Sequence, residues 1–282
     1  MMEAAWKEMQ AWVELAALAA SNPPPAPRIR YYRSPSAFRR AGALTPPGLS
    51  FDYRLSPFMG CEQCDPEKNP CCFEHYNPWW TRGEIRVKTN TVALLRETLG
   101  SGAAHGPILV DGFDNLRTER ETGILRECLA VLAHSPNRVH IQTHRLDLLV
   151  EYLPLLEPLR ARLCVWVSIA DDLAFPREMV LALADAGISV VLHVLLFPFI
   201  NDGEEDLAGI RRFAAEHRLG LAFTWLRLQH AGPQRDAVLR WIEKKYGPGV
   251  AEQYPVLYPA SIPAGKFGRA PSRPLPPHSS PP

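Results

Sequence analysis

Six short runs of apolar and β-branched residues alternate along the chain with longer segments whose apolar positions recur every three or four residues. The short runs predict buried β-strands, and the longer segments predict amphipathic helices, because each periodicity places the apolar side chains on one face. The strands are predicted at residues 85–88, 107–113, 139–143, 163–169, 188–197 and 221–228, and the helices that follow them at residues 91–99, 118–134, 146–160, 176–186, 204–217 and 235–246.

This alternation of strands and helices predicts an α/β fold with a parallel sheet covered by helices. Strands that are apolar nearly throughout are typical of parallel sheets. Right-handed crossovers then permit two architectures, an open doubly wound sheet and a partial barrel of six βα units. In both architectures ligands bind at the carboxyl ends of the strands, so the chemistry of the chain is expected at that edge.

The two ends of the chain differ from this central body, which spans residues 51–250. Residues 1–27 predict a short amphipathic helix that is ended by a proline-rich linker, and residues 28–50 form a lead-in rich in arginine and aromatic residues. Residues 251–282 predict a C-terminal extension, whose proline- and serine-rich end is expected to be disordered because it has too little apolar surface to bury.

Composition narrows the class of protein. The 282 residues are 46% hydrophobic, which suffices for a sizeable core, and the formal net charge is +1. Such a balance does not support tight nonspecific binding to DNA, which needs a basic face. The N-terminus carries acidic residues where a signal peptide carries basic ones, and the longest apolar stretch is shorter than the ~20 residues that cross a bilayer. We expect a cytoplasmic protein with no membrane partner.

Four of the six cysteines lie within twelve residues, namely Cys61, Cys64, Cys71 and Cys72. Thiolates this close together, in a loop flanked by glycine and proline, indicate either a metal or cluster site or a set of disulfides. A reducing compartment favours the metal. Zinc is one candidate, since two cysteines separated by two residues form a common half-site for tetrahedral zinc.

The segments around this block resemble a known family. Residues 51–63, Phe-Asp-Tyr-Arg-Leu-Ser-Pro-Phe-Met-Gly-Cys-Glu-Gln, and residues 85–90, Ile-Arg-Val-Lys-Thr-Asn, resemble the NPYxGCxHxCxYC loop and the VKxN strand of radical SAM proteins related to spore photoproduct lyase, a DNA repair photolyase-like group. The likeness continues in the same order along the chain, at residues 139–149, 165–169, 184–190, 198–202 and 225–228, and a similar lead-in precedes it at residues 33–39.

The resemblance implies a partial (βα)6 TIM-like barrel of the radical SAM type and a 4Fe-4S cluster held by three cysteines. It also implies that S-adenosyl-L-methionine binds the open iron and is cleaved with an electron from an external donor such as a flavodoxin or ferredoxin. The radical produced then abstracts hydrogen from the substrate. The family alone suggests a nucleic-acid lesion as that substrate, and a small molecule or peptide is the alternative.

The cysteine spacing departs from the family pattern CxxxCxxC. Aligning the last cysteine with the end of the family loop makes Cys61, Cys64 and Cys72 the cluster ligands, leaves Cys71 as a spare thiol and turns residues 65–70 into an insertion. The new spacing keeps a second hypothesis open. In that hypothesis a related but non-catalytic barrel binds zinc, or no metal, and serves as a binding module.

Four further residues match positions that the family uses near its cofactor or substrate. Asp114 and Ser168 correspond to residues beside adenosylmethionine, and His144 replaces a lysine at a strand end, where it can still donate to an anionic group. Cys164 shares a face of its strand with Ser168, and these lyases place a hydrogen-donating cysteine in that interior. The plainer alternatives are a helix or turn cap for Asp114 and a buried hydrophobe for Cys164.

The remaining polar candidates have ordinary explanations. Cys128 and His193 fall within a predicted helix and a predicted strand, and both are expected to belong to the core. Residues 28–40 contain five arginines, three aromatic residues and no acidic residue. That composition is typical of contacts with phosphates and bases, and equally of a solvated arm.

Overall fold

The computed structural model describes residues 28–40, 49–62, 84–170, 172–228 and 233–259. The predictions for the N-terminal helix, for Cys64, Cys71 and Cys72, and for the disordered C-terminal end all fall outside these residues.

Ten strands are described, and they form two sheets. They are β1 (Arg28–Tyr32), β2 (Phe38–Arg40), β3 (Tyr53–Leu55), β4 (Phe58–Met59), β5 (Glu84–Lys88), β6 (Ile108–Val110), β7 (Val139–Thr143), β8 (Leu163–Ile169), β9 (Ser189–Leu196) and β10 (Gly220–Trp225). The larger sheet has the order β10-β9-β8-β7-β6-β3-β2, and the smaller has the order β1-β5-β4. The strands from β10 to β3 run parallel, and β2 is added antiparallel to β3.

The helices lie in the connections between these strands and after the last one. They are α1 (Thr91–Gly100), α2 (Leu116–Thr122), α3 (Ile124–Ala133), α4 (Asp147–Glu151), α5 (Leu153–Leu156), α6 (Arg177–Asp185), α7 (Glu204–Glu216), α8 (Pro233–Tyr246), α9 (Pro248–Ala251) and α10 (Tyr254–Leu257), with a 3-10 helix at Glu157–Arg162. The predicted α/β class is confirmed, since a parallel sheet of six strands is flanked by helices. None of the described helices is both long and apolar enough to span a membrane.

The sixth parallel strand is not the one predicted. Strand β5 was expected in the main sheet, but it lies in the smaller sheet, parallel to β1 and antiparallel to β4. The short strand β3 occupies the place beside β6 instead. The apolar pattern of β5 identifies a strand, but it does not specify which neighbour supplies the backbone hydrogen bonds.

The lead-in is part of the fold, because its two strands pair with the body. The main-chain N–H of Ser34 donates to Asn90 Oδ1 at 2.9 Å, and Asn90 Nδ2 donates to the carbonyl of Ser34 at 2.8 Å. The main-chain N–H of Thr89 also donates to the carbonyl of Tyr32 at 2.9 Å. Asn90, which matches the VKxN motif, therefore joins the lead-in to the end of β5.

The predicted helix at residues 118–134 is two helices, α2 and α3. Gly123, with φ 62°, adopts the left-handed conformation between them, which glycine tolerates without steric cost. The buried carboxylate of Glu119 accepts hydrogen bonds at 2.8 Å from the main-chain N–H groups of Leu125 and Arg126 and from the hydroxyl of Tyr152. Burial raises the pKa of Glu119. This carboxylate satisfies the first amides of α3, and so stabilises the break.

Helices α1, α3, α6 and α7 pack on one face of the main sheet. The main apolar cluster combines their buried residues with every second residue of the central strands. The intervening strand residues form the opposite face, called the second face below. A small apolar cluster on that face consists of Leu109, Trp166, Val191 and Ala222, together with Leu49 and Phe51 from the segment before β3.

Helices α8 to α10 cover the carboxyl ends of β9 and β10. Phe197 and Leu226, which follow these two strands, are buried with Trp241 of α8 and with Tyr254. The hydroxyl of Tyr254 donates to the carbonyl of Pro198 at 2.7 Å. The start of the C-terminal extension therefore packs against the body and closes this part of the strand-end edge.

Candidate functional site

Cys61 follows β4 immediately, and a sharp turn at Gly60 fixes its position. Gly60 has φ 101°, and a Cβ atom there would lie 2.4 Å from the main-chain oxygen of Glu84. Both the conformation and the close approach require glycine. The Cys61 side chain is partly exposed.

Replacing Gly60 with alanine should therefore displace the cysteine loop. We expect a loss of about 1 to 2 kcal/mol in the free energy of unfolding, because the turn must strain or separate from β5. Urea denaturation measures this loss. Gly100→Ala is the matched control, since a Cβ atom at Gly100 meets nothing within 4 Å. Equal stability of the two variants would contradict the structural role of the turn.

Asn115 forms hydrogen bonds with the residues on both sides of Cys61. Its Nδ2 atom donates to the carbonyl of Gly60 at 3.2 Å, and its Oδ1 atom accepts from the main-chain N–H of Glu62 at 2.9 Å. The carboxylate of Glu62 in turn accepts from the main-chain N–H groups of Arg117 and Thr118, in the first turn of α2. The start of the cysteine loop is thus tied to the segment that follows β6.

Asp114 precedes Asn115 in the chain and binds the end of β7. Its Oδ1 atom accepts from Thr143 Oγ1 at 2.5 Å and from the main-chain N–H of His144 at 3.3 Å, and it lies 3.1 Å from His144 Nδ1. The two predicted residues at the ends of β6 and β7 are therefore in direct contact. Their role in cofactor binding stays a prediction.

The protonation states of Asp114 and His144 depend on each other. Burial acts to raise the pKa of Asp114, but the charge and hydrogen bonds of His144, with the bond from Thr143, outweigh it, so the pKa is lowered. Burial acts to lower the pKa of His144, but the carboxylate of Asp114 outweighs it, so that pKa is raised. Between these two pKa values the groups form a carboxylate–imidazolium pair.

A second ion pair lies beside the first. Arg54 Nε donates to Asp111 Oδ2 at 2.5 Å, and Ser56 Oγ donates to the same oxygen at 2.9 Å. Arg54, Asp111 and Asn115 were not predicted as site residues. The positions of two of them in the sequence could have identified them. Asp111 directly follows β6, and Arg54 alternates with the apolar residues of β3.

Ser168 and Cys164 lie on the second face of β8, but at different levels. Ser168 is near the carboxyl end of the strand, whereas Cys164 is its second residue, so four residues separate them by ~13 Å along the strand. Burial raises the pKa of the Cys164 thiol, against hydrogen bonds from Ser189 and Trp166 that act to lower it. Cys164 is therefore a protonated thiol toward the amino end of β8, and its hydrogen-donor role stays a prediction.

Cys128 is part of the core, as predicted. It is fully buried in α3, and burial raises the pKa of its thiol to about 12. Such a thiol is a poor metal ligand, since ligation needs the thiolate. Of the cysteines in the described part of the chain, Cys61 and Cys164 are partly exposed and Cys128 is buried.

The structure brings together some of the predicted site residues. Cys61, Asp114 and His144 converge through the contacts of Asn115 and Asp114, and Ser168 lies on the next strand. Among the described residues, no three His, Cys, Asp or Glu side chains are grouped so that they could hold a metal ion. The other three cysteines of the block, including the predicted ligands Cys64 and Cys72, lie outside those residues.

Comparison with known proteins leaves the function to be inferred from the residues and their geometry. No protein-family model matches the chain, and no curated protein sequence matches it.

Proposed function

We propose that this chain is a radical SAM enzyme in which Cys61, Cys64 and Cys72 hold a 4Fe-4S cluster and S-adenosylmethionine binds beside Asp114 and His144. The observation that carries the proposal is the pair of consecutive residues Asp114 and Asn115. One binds the histidine at the end of β7, and the other binds both neighbours of Cys61. Three of the residues that resemble cluster and cofactor ligands, Cys61, Asp114 and His144, are therefore joined through these contacts near the ends of β6 and β7.

The distribution of helices supports a partial barrel. Among the described helices, α1, α3, α6 and α7 contribute to the apolar cluster on one face and none contributes to the small cluster on the second face, whereas a doubly wound sheet carries helices on both. Trp166 and Val191 are nevertheless buried on the second face. Curling of the sheet around that face would bury them without a second layer of helices.

The residues at this edge fit the groups that they would bind. All three contacts described for the Asp114 carboxylate are made by Oδ1, which leaves Oδ2 to accept a hydrogen bond from the ammonium group of adenosylmethionine. The lowered pKa of Asp114 keeps it ionised at neutral pH. When bound, the cluster and adenosylmethionine supply one-electron cleavage and hydrogen abstraction. The residues of the chain would bind and orient these two groups and exclude water from them.

Anaerobic reconstitution tests the proposal. The full chain, treated with iron and sulfide and then reduced in the presence of adenosylmethionine, is expected to become coloured and to form 5′-deoxyadenosine. The measurements are the iron content, the visible absorption from iron–sulfide charge transfer, and chromatography of the product. A colourless protein that retains zinc would contradict the proposal and favour the non-catalytic binding module.

A further inference from the structure

Three arginine side chains surround one carboxylate on the smaller sheet. Arg28 and Arg30 share a face of β1, and in the parallel register they lie opposite Glu84 and Arg86 of β5. Arg30 Nε lies 3.2 Å from Glu84 Oε2, and Arg86 Nε donates to Glu84 Oε1 at 2.8 Å. These four residues are called the basic face below, because three positive charges meet one negative charge.

The alternation of residues in β5 directs the basic face away from the core. Ile85 and Val87 are fully buried in the main apolar cluster, so the residues that alternate with them lie on the opposite face of the strand. The side chain of Arg30 is 57% accessible and that of Arg86 is 38% accessible, whereas that of Glu84 is only 9% accessible. The arginines therefore cover the carboxylate and are themselves accessible to a partner.

Stability does not account for the excess of positive charge. Arg30 and Arg86 lie directly opposite each other in the register, an arrangement in which like charges are destabilising. Charged residues also protect edge strands from unwanted pairing, but Arg86 lies on β5, which is paired with a strand on either side. Recognition of a negatively charged partner explains the second and third arginines better than folding does.

The basic face adjoins the start of the cysteine loop. Met59 lies opposite Arg86 in the antiparallel register of β4 and β5. Cys61 follows two residues later, at most about 7 Å of chain from Met59. Gly60, between them, is packed against the main-chain oxygen of Glu84. A partner bound to the basic face would therefore lie near Cys61, the first of the proposed cluster ligands.

We propose that the basic face is the docking surface for a small acidic electron-transfer protein that reduces the cluster. The inference rests on the proposed function, which consumes one electron in each cleavage, and it adds the surface at which that electron enters. The partner is oxidised by one electron and the cluster is reduced by one. Complexes of this kind bury little surface and depend on complementary charge for fast association.

A nucleic acid matches this surface less well. Strong binding to DNA commonly takes about 6 to 10 phosphate contacts. The basic face has three arginines, and the formal net charge of the whole chain is +1. Position favours the same conclusion, because an electron carrier needs only to approach the cluster, whereas a substrate must reach the carboxyl ends of the strands.

The binding of flavodoxin, an acidic flavoprotein, to the full chain tests the inference. Isothermal titration calorimetry should detect binding at low ionic strength and none in ~1 M salt, where charges are screened within about 3 Å. Replacing two charges together, Arg30→Gln with Arg86→Gln, should weaken binding about 5-fold. A second measurement compares 5′-deoxyadenosine formed with reduced flavodoxin and with dithionite, which is too small to need a docking surface. The ratio of the two should fall by a similar factor in the double variant.

Arg160→Gln is the matched control. Arg160 Nη1 also lies 3.2 Å from a glutamate, Glu157, and its side chain is 52% accessible, but it precedes the amino end of β8. This variant should leave both the binding and the ratio unchanged. Circular dichroism verifies folding. If the double variant does not fold, Arg28→Gln decides, because it removes a charge from the basic face without breaking either pair described for Glu84.

Three results would overturn the inference: no flavodoxin binding, binding that is insensitive to salt, or equal binding by the double variant and the control. Tighter binding of single-stranded oligothymidylate than of flavodoxin, through the same arginines, would overturn it in favour of a nucleic acid. Deoxyadenosine formed with dithionite, without arginine-dependent flavodoxin binding, refutes the inference alone. Arginine-dependent binding by a chain that forms no deoxyadenosine with either reductant refutes the proposed function and leaves only the docking surface.

Discussion

Cys61→Ala is expected to prevent iron retention after reconstitution and to lower 5′-deoxyadenosine formation at least ~100-fold. Even residues that only support metal ligands are worth 10- to 100-fold in affinity or activity, and a lost ligand costs more. Gly60 and Asn115 fix the backbone on both sides of Cys61, so the position of this residue is well defined. Iron per chain, visible absorption and product chromatography measure the effect.

Cys128→Ala is the matched control for this experiment. It removes one thiol from the same chain, but from a fully buried position in α3. We expect it to keep the iron and the activity and to lose only about 1 kcal/mol of stability from the small cavity. Iron retained by the Cys61 variant, or lost equally by both variants, would show that Cys61 is not a ligand.

Asp114→Asn is expected to lower the free energy of unfolding by about 3 kcal/mol and to impair 5′-deoxyadenosine formation. Removing one member of a largely buried ion pair leaves the other charge without compensation. Asp114 and His144 are both mostly buried, so solvent screening weakens their interaction little. The amide also loses the negative charge proposed to face adenosylmethionine.

The effect of Asp114→Asn on stability should depend on pH. The pKa of Asp114 is lowered on folding, so its contribution is complete above the ordinary value of 3.8 and is lost as the pH falls through the folded value. The pKa of His144 is raised, so its contribution is complete below the ordinary value of 6.5 and is lost as the pH rises through the folded value. The difference between variant and parent should therefore be largest between pH 3.8 and 6.5.

Urea denaturation at a series of pH values measures this profile. Glu121→Gln is the control, because Glu121 forms an exposed ion pair with Arg117, with 57% of the arginine and 46% of the glutamate side chain accessible. Exposed pairs of this kind contribute about 0.5 kcal/mol or less. A stability difference for Asp114→Asn that stays constant across the pH range would show that the pair with His144 is not its source.

The local pattern of apolar and β-branched residues predicted the central strands well. Strands β7 and β8 begin and end at the predicted residues, and most residues of each strand are buried. Strand β3 has only three residues, too few for a period, and β5 was assigned to the wrong sheet. Pairing between strands is a long-range property, so the local sequence of β5 does not encode its partner.

Helix breaks were predicted less well, for a different reason. The apolar period continues across Gly123, and nothing nearby shows that Glu119 will supply the acceptors for the next helix. The predicted helix at residues 146–160 is likewise divided into α4, α5 and a 3-10 helix, with Pro154 and Pro158 in the first turns of the last two. Proline fits a first turn and interrupts a longer helix.

The site residues that directly follow a predicted strand were identified from the sequence. Asp114 and His144 each follow a recognised strand, and parallel strands bring such residues to one edge. Asn115 was missed because its partners, Gly60 and Glu62, lie 55 and 53 residues away in the chain. The prediction that His193 belongs to the core is confirmed, since it is fully buried and its Nε2 atom lies 2.8 Å from Thr224 Oγ1.

The attachment of the lead-in to β5 limits how far the protein can be shortened. Strand β1 covers one edge of β5 along the whole of Glu84–Lys88. A piece of the chain that began at Leu49 would leave that edge with unpaired amides and carbonyls, which are a template for pairing with a second molecule. Self-association of such a fragment would then come from the missing strand rather than from a natural dimer interface, and fragments for solution work should retain Arg28–Tyr32.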